Sequence, residues 1–535
     1  MAFSQPFTPS NCSASLISSP VVPGATVRLV EAAPVSKGWQ VAIPFGYPNN
    51  PTVTSSGVDF CNITVTYTIA DSQRNTTVQV WLPTGEWNQR IQAIGGGGWA
   101  AGLHESGLSG MSAAVTQGYT AIGTNGGYPP DLGVEAWDIL RDGKIDLLNF
   151  QHYATTSLRD LSIIGKSVVE SFYGQPAKYS YWNGCSQGGR QGFALAQNYP
   201  DAFDGIVASA PVVDWGQLMP AGSWAQAIMN EMGEYPRPCE LKTLSAAALK
   251  ACDGNDGLVD GLISDPDSCK FDPTTLLNTT ANCGLFSNVK ISPAAVQVAK
   301  IGWYGLQSSV HRCMWDGAHH EASFVTEGSI PSLSRLLPYF NITTGLADTQ
   351  CSSNGTCTVK PFDIPMDWIR YFVVKDARYD PSKINLKDFD EILGRSFKEY
   401  SPIIGTDSPD MTAFAKAGGK ILSYHGLADG IISSKNSRRY HDTVLAFDPN
   451  AHDYYRFFEA PGVGHCWTGT GLYPSGIFES LIKWVEEGQV PDLLEVDMSS
   501  RLGFTKTRIL CPYPQRSKYK GSGNAYDANS FECGI

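Results

Sequence analysis

Tyr179-Ser-Tyr-Trp-Asn-Gly184-Cys185-Ser186-Gln187-Gly188-Gly189-Arg190 is the stretch on which the fold turns. Its first half reads as a short aromatic strand, and the run from Arg190 to Asn198 that follows is helix-like. Between them stands Gly184-x-Ser186-x-Gly188, the pattern of a nucleophile elbow. There a strand reverses into a helix within one residue, leaving a strained serine with its hydroxyl exposed. The two glycines remove Cβ atoms that would collide with the neighbouring strand and helix. The same turn sets the backbone N–H of Gln187 at a helix N-terminus, where it can stabilise an oxyanion. A Gly-rich turn with an incidental serine is the bland alternative. The strand before it and the helix after it weigh against that.

Upstream, Arg90-Ile-Gln-Ala-Ile94 reads as a strand running into Gly95-Gly-Gly-Gly98-Trp99. Four glycines let backbone N–H groups approach a ligand closely, and in elbow hydrolases such a loop supplies the second oxyanion donor. Gly97 and Gly98 are the candidates. Gly118–Gly123 is a further short strand. Leu158, Leu161, Ile164, Val168 and Phe172 then recur at helical spacing until Gly174 stops the helix. After the elbow helix, Phe203–Pro211 is the next strand. Strand–helix–strand alternation of this kind predicts an α/β fold with a parallel sheet covered on both faces.

Residues 1–95 are strand-rich: Cys61–Ile69 and Thr76–Leu82 alternate with period two and are β-branched. From 214 to 408 the rhythm breaks. That segment is loop-rich and carries Cys239, Cys252, Cys269, Cys283, Cys313, Cys351 and Cys357. It reads as an inserted lid, with the catalytic domain formed by 1–213 and 409–535. The sheet resumes at Gly419–Gly426 and again at Tyr454–Glu459.

A net charge of -12 over 535 residues argues against nucleic acid or an anionic membrane as partner. No apolar run approaches the length of a membrane span. Thirteen cysteines accompany N-x-S/T sequons at Asn11, Asn62, Asn75, Asn278, Asn341 and Asn354, which predicts a secreted, glycosylated protein. No secretory segment opens the chain, so a mature form is expected. The cysteines lack zinc-site spacing and read as disulfide staples. Cys12 with Cys61 would tie the N-terminal arm to the sheet, and Cys511 with Cys533 and Cys351 with Cys357 would close local loops. The pairing of Cys239, Cys283 and Cys313 stays open, and an odd count leaves a thiol over.

A serine nucleophile needs a base, and the base an orienting carboxylate; elbow hydrolases deliver them in the order Ser, Asp, His. After the resumed strand stands His425-Gly-Leu-Ala-Asp429, and after the last strand Gly462-Val-Gly-His465-Cys466. Both follow strand ends, the edge where such sites are built. Ser186, Asp429 and His465 are therefore the candidate triad; His425 and His104 are the rival histidines. Cys185 precedes the serine and Cys466 follows the histidine. If serine and histidine meet, these cysteines come within bridging range, and a Cys185–Cys466 disulfide would lock the two loops together.

The Cys185-Ser186, Asp429 and His465-Cys466 arrangement resembles the tannase/feruloyl esterase family across nearly the whole chain. The resemblance implies an α/β-hydrolase fold with a large lid between the Ser and Asp strands. It also implies hydrolysis of aromatic-acid esters, feruloyl (hydroxycinnamoyl) esters of plant cell-wall polysaccharides first and galloyl esters second. The absence of a Lys-Arg pair in the lid leans toward the first. A catalytically silent hydrolase fold acting as a binding module is the alternative of another class. The family's structural calcium would fall on Cys252-Asp-Gly-Asn-Asp-Gly-Leu-Val-Asp-Gly-Leu262. Its ligands would be Asp253, Asp256 and Asp260 with the carbonyls of Leu258 and Leu262, a hard all-oxygen shell. The bland reading is an acidic turn closed by a Cys252–Cys269 bridge. No cofactor is expected for catalysis itself. The lid is expected to supply an aromatic slot from Trp368, Tyr371 and Phe372, with Arg370 for a polar substituent.

Overall fold

The computed structural model describes residues 12–38, 41–42, 48–51, 53–55, 57–128, 134, 140–141, 144–284, 288–308, 313–326, 345–353, 355–499 and 505–535. The sequons at Asn11, Asn341 and Asn354 lie outside these residues. Nine strands form one sheet: β1 (Ala25–Gly38), β2 (Val58–Ile69), β3 (Asn75–Pro83), β4 (Arg90–Ile94), β5 (Thr120–Thr124), β6 (Tyr179–Cys185), β7 (Gly205–Ser209), β8 (Lys420–Gly426) and β9 (Tyr455–Ala460). Their spatial order is β1-β2-β3-β5-β4-β6-β7-β8-β9. β1, β2, β3 and β5 pair antiparallel, while β5-β4-β6-β7-β8-β9 are parallel throughout.

The sheet is thus mixed, and the reason is visible in the side chains. Every residue of β5 and β7 is buried, as parallel strands packed on both faces require, whereas edge strand β1 has no buried position. One face is covered by α2 (Ser157–Tyr173), α3 (Gln187–Asn198) and α4 (Ser434–Phe447). Leu158, Leu161, Phe193 and Val444 pack there against Val80, Ala93 and Ile206. The other face is covered by α1 (Glu105–Thr116) and α5 (Ile477–Glu487), whose Met111, Val115, Phe478 and Leu481 meet Ile94, Tyr181 and Leu422. Gly174 ends α2 in the left-handed conformation at φ 68°, as expected of a glycine stop.

Among the described residues, no strand of this sheet falls between Ser209 and Lys420. The intervening chain is more helical than its composition suggests, with helices at Trp215–Ala221, Trp224–Met232, Pro238–Cys252, Pro293–Tyr304 and Leu386–Ile404. They enclose an aromatic core around Trp215, Trp224, Trp303, Trp368 and Phe372. Six disulfides staple the chain: Cys12–Cys61, Cys185–Cys466, Cys239–Cys283, Cys252–Cys269, Cys351–Cys357 and Cys511–Cys533. Cys313 is the thiol left over.

Candidate active site

β6, β8 and β9 end at the same edge of the sheet, with β7 between β6 and β8, and the turns after them carry the three candidate residues. Ser186 sits at φ 63°, ψ -119°, between the end of β6 and the start of α3. A β-carbon on Gly184 would run into the backbone of Gly188, and one on Gly188 would come 3.0 Å from the Gly96 carbonyl. The elbow closes only because both are glycine. Ser209 in β7 accepts the N–H of Ser186 on its carbonyl at 3.0 Å, fixing the strained residue.

His465 Nε2 lies 2.9 Å from Ser186 Oγ, and its Nδ1 lies 2.7 Å from Asp429 Oδ2. A carboxylate can only accept, so Nδ1 carries the proton and Nε2 presents its lone pair to the serine hydroxyl. Asp429 is buried, and its Oδ1 accepts the N–H groups of Ile431 and Ile432 at 2.9 and 3.0 Å. Burial pushes its carboxyl up. The charge of His465 and the hydrogen bonds from His425 and His465 outweigh that and hold it well below the usual carboxylate range. The Cys185–Cys466 bridge spans 281 residues of sequence with its Cα atoms 6.0 Å apart.

The glycine loop is tied off residue by residue. Gly95 N–H donates to Asn183 O at 2.9 Å and Gly96 N–H to Gln191 Oε1 at 2.8 Å. The N–H groups of Gly97 and Gly98 have no acceptor among the described residues, and both glycines line the cavity with Gln187. Of the four loop glycines, these two are the ones left to receive an oxyanion.

The cavity over Ser186 measures about 250 Å³, small for a ligand site and sized for a compact group rather than a long polymer segment. Its apolar walls include Trp215, Leu218, Met219, Phe362, Ile364 and Trp467. The aromatic slot expected at 368–372 is not there. Trp368 and Phe372 are fully buried, stack on each other and on Trp99, and do not line the cavity. Arg370 donates to the Tyr379 carbonyl at 3.0 Å, and Tyr371 lies partly buried against the same core. The walls come instead from the helix at Trp215–Ala221 and the start of the short helix at Asp363–Asp367, with Phe362 at its N-cap.

The rival histidines have other partners. His104 lines the cavity, with Nδ1 3.0 Å from Gly102 O and Nε2 2.6 Å from Ser106 Oγ; burial lowers its pKa. His425 is buried behind Asp429, Nε2 3.1 Å from Oδ2. Sequence reasoning overlooked Asn49. Its Nδ2 donates to Asn183 Oδ1 at 2.6 Å and its Oδ1 accepts from Ser209 Oγ at 2.6 Å, bracing β6 and β7 beneath the elbow. Only the context Asn49-Asn50-Pro51, which reads as a turn, could have drawn attention to it.

In the acidic loop, Asp253 accepts N–H groups from Asp260 and Gly261, Asp256 from Leu258, and Asp260 from Leu262. Arg508 pairs with Asp260 Oδ2 at 2.5 Å. Burial raises Asp256, and the Asp260 and Asp253 charges add to it. Burial also pushes the nearby Glu321 up to about 7, the same two aspartates contributing. Donor chemistry and crowded negative charge suit a hard cation. Among the described residues, however, no three acidic, histidine or cysteine side chains converge as a metal-holding group, because these carboxylates are turned onto their own backbone. Of the described sequons, Asn75 and Asn278 are exposed and Asn62 is half-buried in β2.

Comparison with known proteins gives a consistent set of relatives. A family model described as tannase and feruloyl esterase matches residues 61–534. A probable feruloyl esterase of Arthroderma benhamiae is 37% identical over 526 residues, 97% of this chain and 92% of that protein. Tannin acyl hydrolase from Aspergillus niger superposes with a TM-score of 0.85 at 25% identity, covering 99% of this chain and 96% of the other. Feruloyl esterase B from Aspergillus oryzae superposes with a TM-score of 0.77 at 25% identity, covering 98% and 99%.

Proposed function

The chain belongs to the tannase and feruloyl esterase family, and from that premise we propose that it hydrolyses feruloyl and related hydroxycinnamoyl esters through an acyl-enzyme on Ser186. The observation that carries this is the unbroken hydrogen-bonded line from Ser186 Oγ through His465 to Asp429, at 2.9 and 2.7 Å. Ser186 Oγ attacks the ester carbonyl while His465 Nε2 takes its proton, and Asp429 holds the ring and stabilises its charged form. The N–H groups of Gln187 and of Gly97 or Gly98 receive the oxyanion, each worth about 3 kcal/mol. As the intermediate collapses, the imidazolium protonates the departing alcohol. Water, activated by the same His465, then clears the acyl group and releases the free acid.

A galloyl ester is the second reading, favoured by one observation: the tannin acyl hydrolase superposes better than feruloyl esterase B, 0.85 against 0.77. Hydroxycinnamate leads because the 37% identical relative carries the feruloyl esterase name. Turnover of methyl ferulate, caffeate and p-coumarate against methyl gallate decides between them. A serine-directed phosphonate separates both from a silent binding module. The native protein is expected to be labelled and Ser186→Ala not, and failure to label the native protein would leave only the module.

The disulfides and the exposed sequons support a secreted enzyme, whose substrates on the feruloyl esterase reading would be plant cell-wall polysaccharide esters such as those of xylan. A structural Ca²⁺ held by Asp253, Asp256 and Asp260 with the carbonyls of Leu258 and Leu262 would neutralise the crowded carboxylates of the acidic loop. Chelation by EGTA is expected to lower the melting temperature by several degrees and calcium to restore it. A melting temperature indifferent to both would exclude the ion.

A further inference from the structure

The elbow helix α3 presents two buried polar side chains toward the glycine loop, and neither takes part in the mechanism above. Gln191 spans the loop from inside: its Oε1 accepts the N–H of Gly96 at 2.8 Å and its Nε2 donates to Ala101 O at 2.9 Å. Gln187 reaches the same loop at a second point. Its Nε2 donates to Tyr153 Oη at 2.9 Å, and that hydroxyl donates to Trp99 O at 2.9 Å. Arg190 sets the direction of this chain: its Nε donates to Gln187 Oε1 at 2.7 Å, which forces the amide N–H₂ toward Tyr153. Arg190 is fully buried, and the backbone carbonyls of Ala154 and Ile404 hold its remaining nitrogens.

The two ties attach at Gly96/Ala101 and at Trp99, and so bracket Gly97 and Gly98, whose N–H groups are left to face the cavity. We propose that Gln191 and Tyr153 are positioning residues that set the distance between the two walls of the oxyanion site, Gln187 N–H on the helix and Gly97 or Gly98 N–H on the loop. A glycine run has no side chains of its own to hold its conformation. Donors that must stand ready for a charge present only in the transition state gain most from being fixed beforehand. The amide of Gln191 occupies Gly96 N–H while it sets the loop, which leaves the oxyanion to the two glycines that follow.

The inference rests on the esterase reading of the same site, and the test separates the two. Native protein, Tyr153→Phe and Gln191→Leu are compared for kcat and KM on methyl ferulate. Inhibition by phenylboronic acid, which adds to the serine as a tetrahedral anion, is set beside inhibition by ferulic acid, a ground-state product. In both variants kcat is expected to fall about tenfold or more and the phenylboronic acid inhibition constant to rise in step, while KM and the ferulic acid constant stay within about twofold. Should Gln191→Leu not fold, Tyr153→Phe, which removes one oxygen, carries the comparison alone. Native-like boronate affinity in the folded variants overturns the brace, as does an equal loss of boronate and ferulate affinity. A native protein that neither turns over ester nor binds boronate would instead remove the esterase reading, and the brace with it.

Discussion

Asp429 accepts two backbone N–H groups on Oδ1 and shares Oδ2 between His465 Nδ1 and His425 Nε2. The second histidine is locked in turn. Its Nε2 also meets Ile432 O at 3.1 Å, and its Nδ1 lies 2.8 Å from Ser437 Oγ. Nε2 faces two oxygens that only accept, so it bears the proton, and Nδ1 takes the serine hydroxyl. His425 therefore steadies the carboxylate but drains some of its charge away from His465. Replacing it by phenylalanine removes one of the hydrogen bonds that hold Asp429 in place against His465. The orienting bond would loosen at the same time, and kcat should drop about tenfold with KM little changed. His425→Gln, which keeps a donor near the Nε2 position, should recover most of the loss. A native kcat in His425→Phe would mean that the residue only fills space.

β4 and β6 lie in register, Tyr179 against Arg90 through Asn183 against Ile94, and this pairing brings the glycine loop onto the elbow. The approach is so close that a β-carbon on Gly95 would sit 2.8 Å from Gly188 Cα and 2.9 Å from the Trp182 ring. Gly95→Ala should therefore cost about 2 kcal/mol or more and take most of the activity with it, because the loop must shift. Gly85→Ala, with nothing within 4 Å, should melt like the native protein. Equal melting temperatures for the two would disprove the close approach. Elements of this kind were legible in the sequence. Strand–helix–strand alternation marked the parallel half of the sheet, and the residues just past β6, β8 and β9 carried the chemistry. The aromatic slot was misread at this same scale. Trp368, Tyr371 and Phe372 recur at a spacing that marks a buried face as readily as a ligand wall, and Trp368–Val374 is wound as a π-helix, where α-helical face arithmetic does not hold. Asn49, Gln187 and Gln191 left no periodic trace because each is buried through hydrogen bonds rather than through apolar packing.

Across the whole molecule, long-range polar ties join segments that are remote in sequence. Arg508 in the C-terminal tail pairs with Asp260, and Arg438 in α4 bridges Glu459 of β9 and Asp267. Buried histidines make stability depend on pH against this background. His152 is almost fully buried, with Thr76 Oγ1 2.9 Å from Nε2 and Thr156 Oγ1 2.9 Å from Nδ1. Asp160 stands 4.0 Å from Nδ1, but Arg159 holds that carboxylate, so it does little to charge the ring. Burial, with Arg159 adding to it, lowers His152 from 6.5 to about 4. Between those values the unfolded chain takes up a proton that the folded protein refuses, so this group's contribution is complete above pH 6.5 and is lost as pH falls toward 4. The shift corresponds to about 3 kcal/mol. Glu321, pushed up to about 7, works in the opposite sense over much of the same range, so the slope of the native protein alone cannot isolate either group. The difference between native protein and His152→Gln can, since the variant keeps every other titrating site. Its melting temperature should fall less than that of the native protein on going from pH 6.5 to 4, by an amount equivalent to about one proton, and the two should run parallel above 6.5. Curves that stay parallel down to pH 4 would show that the ring accepts its proton in the folded state, and that the two threonines do not seal it from water.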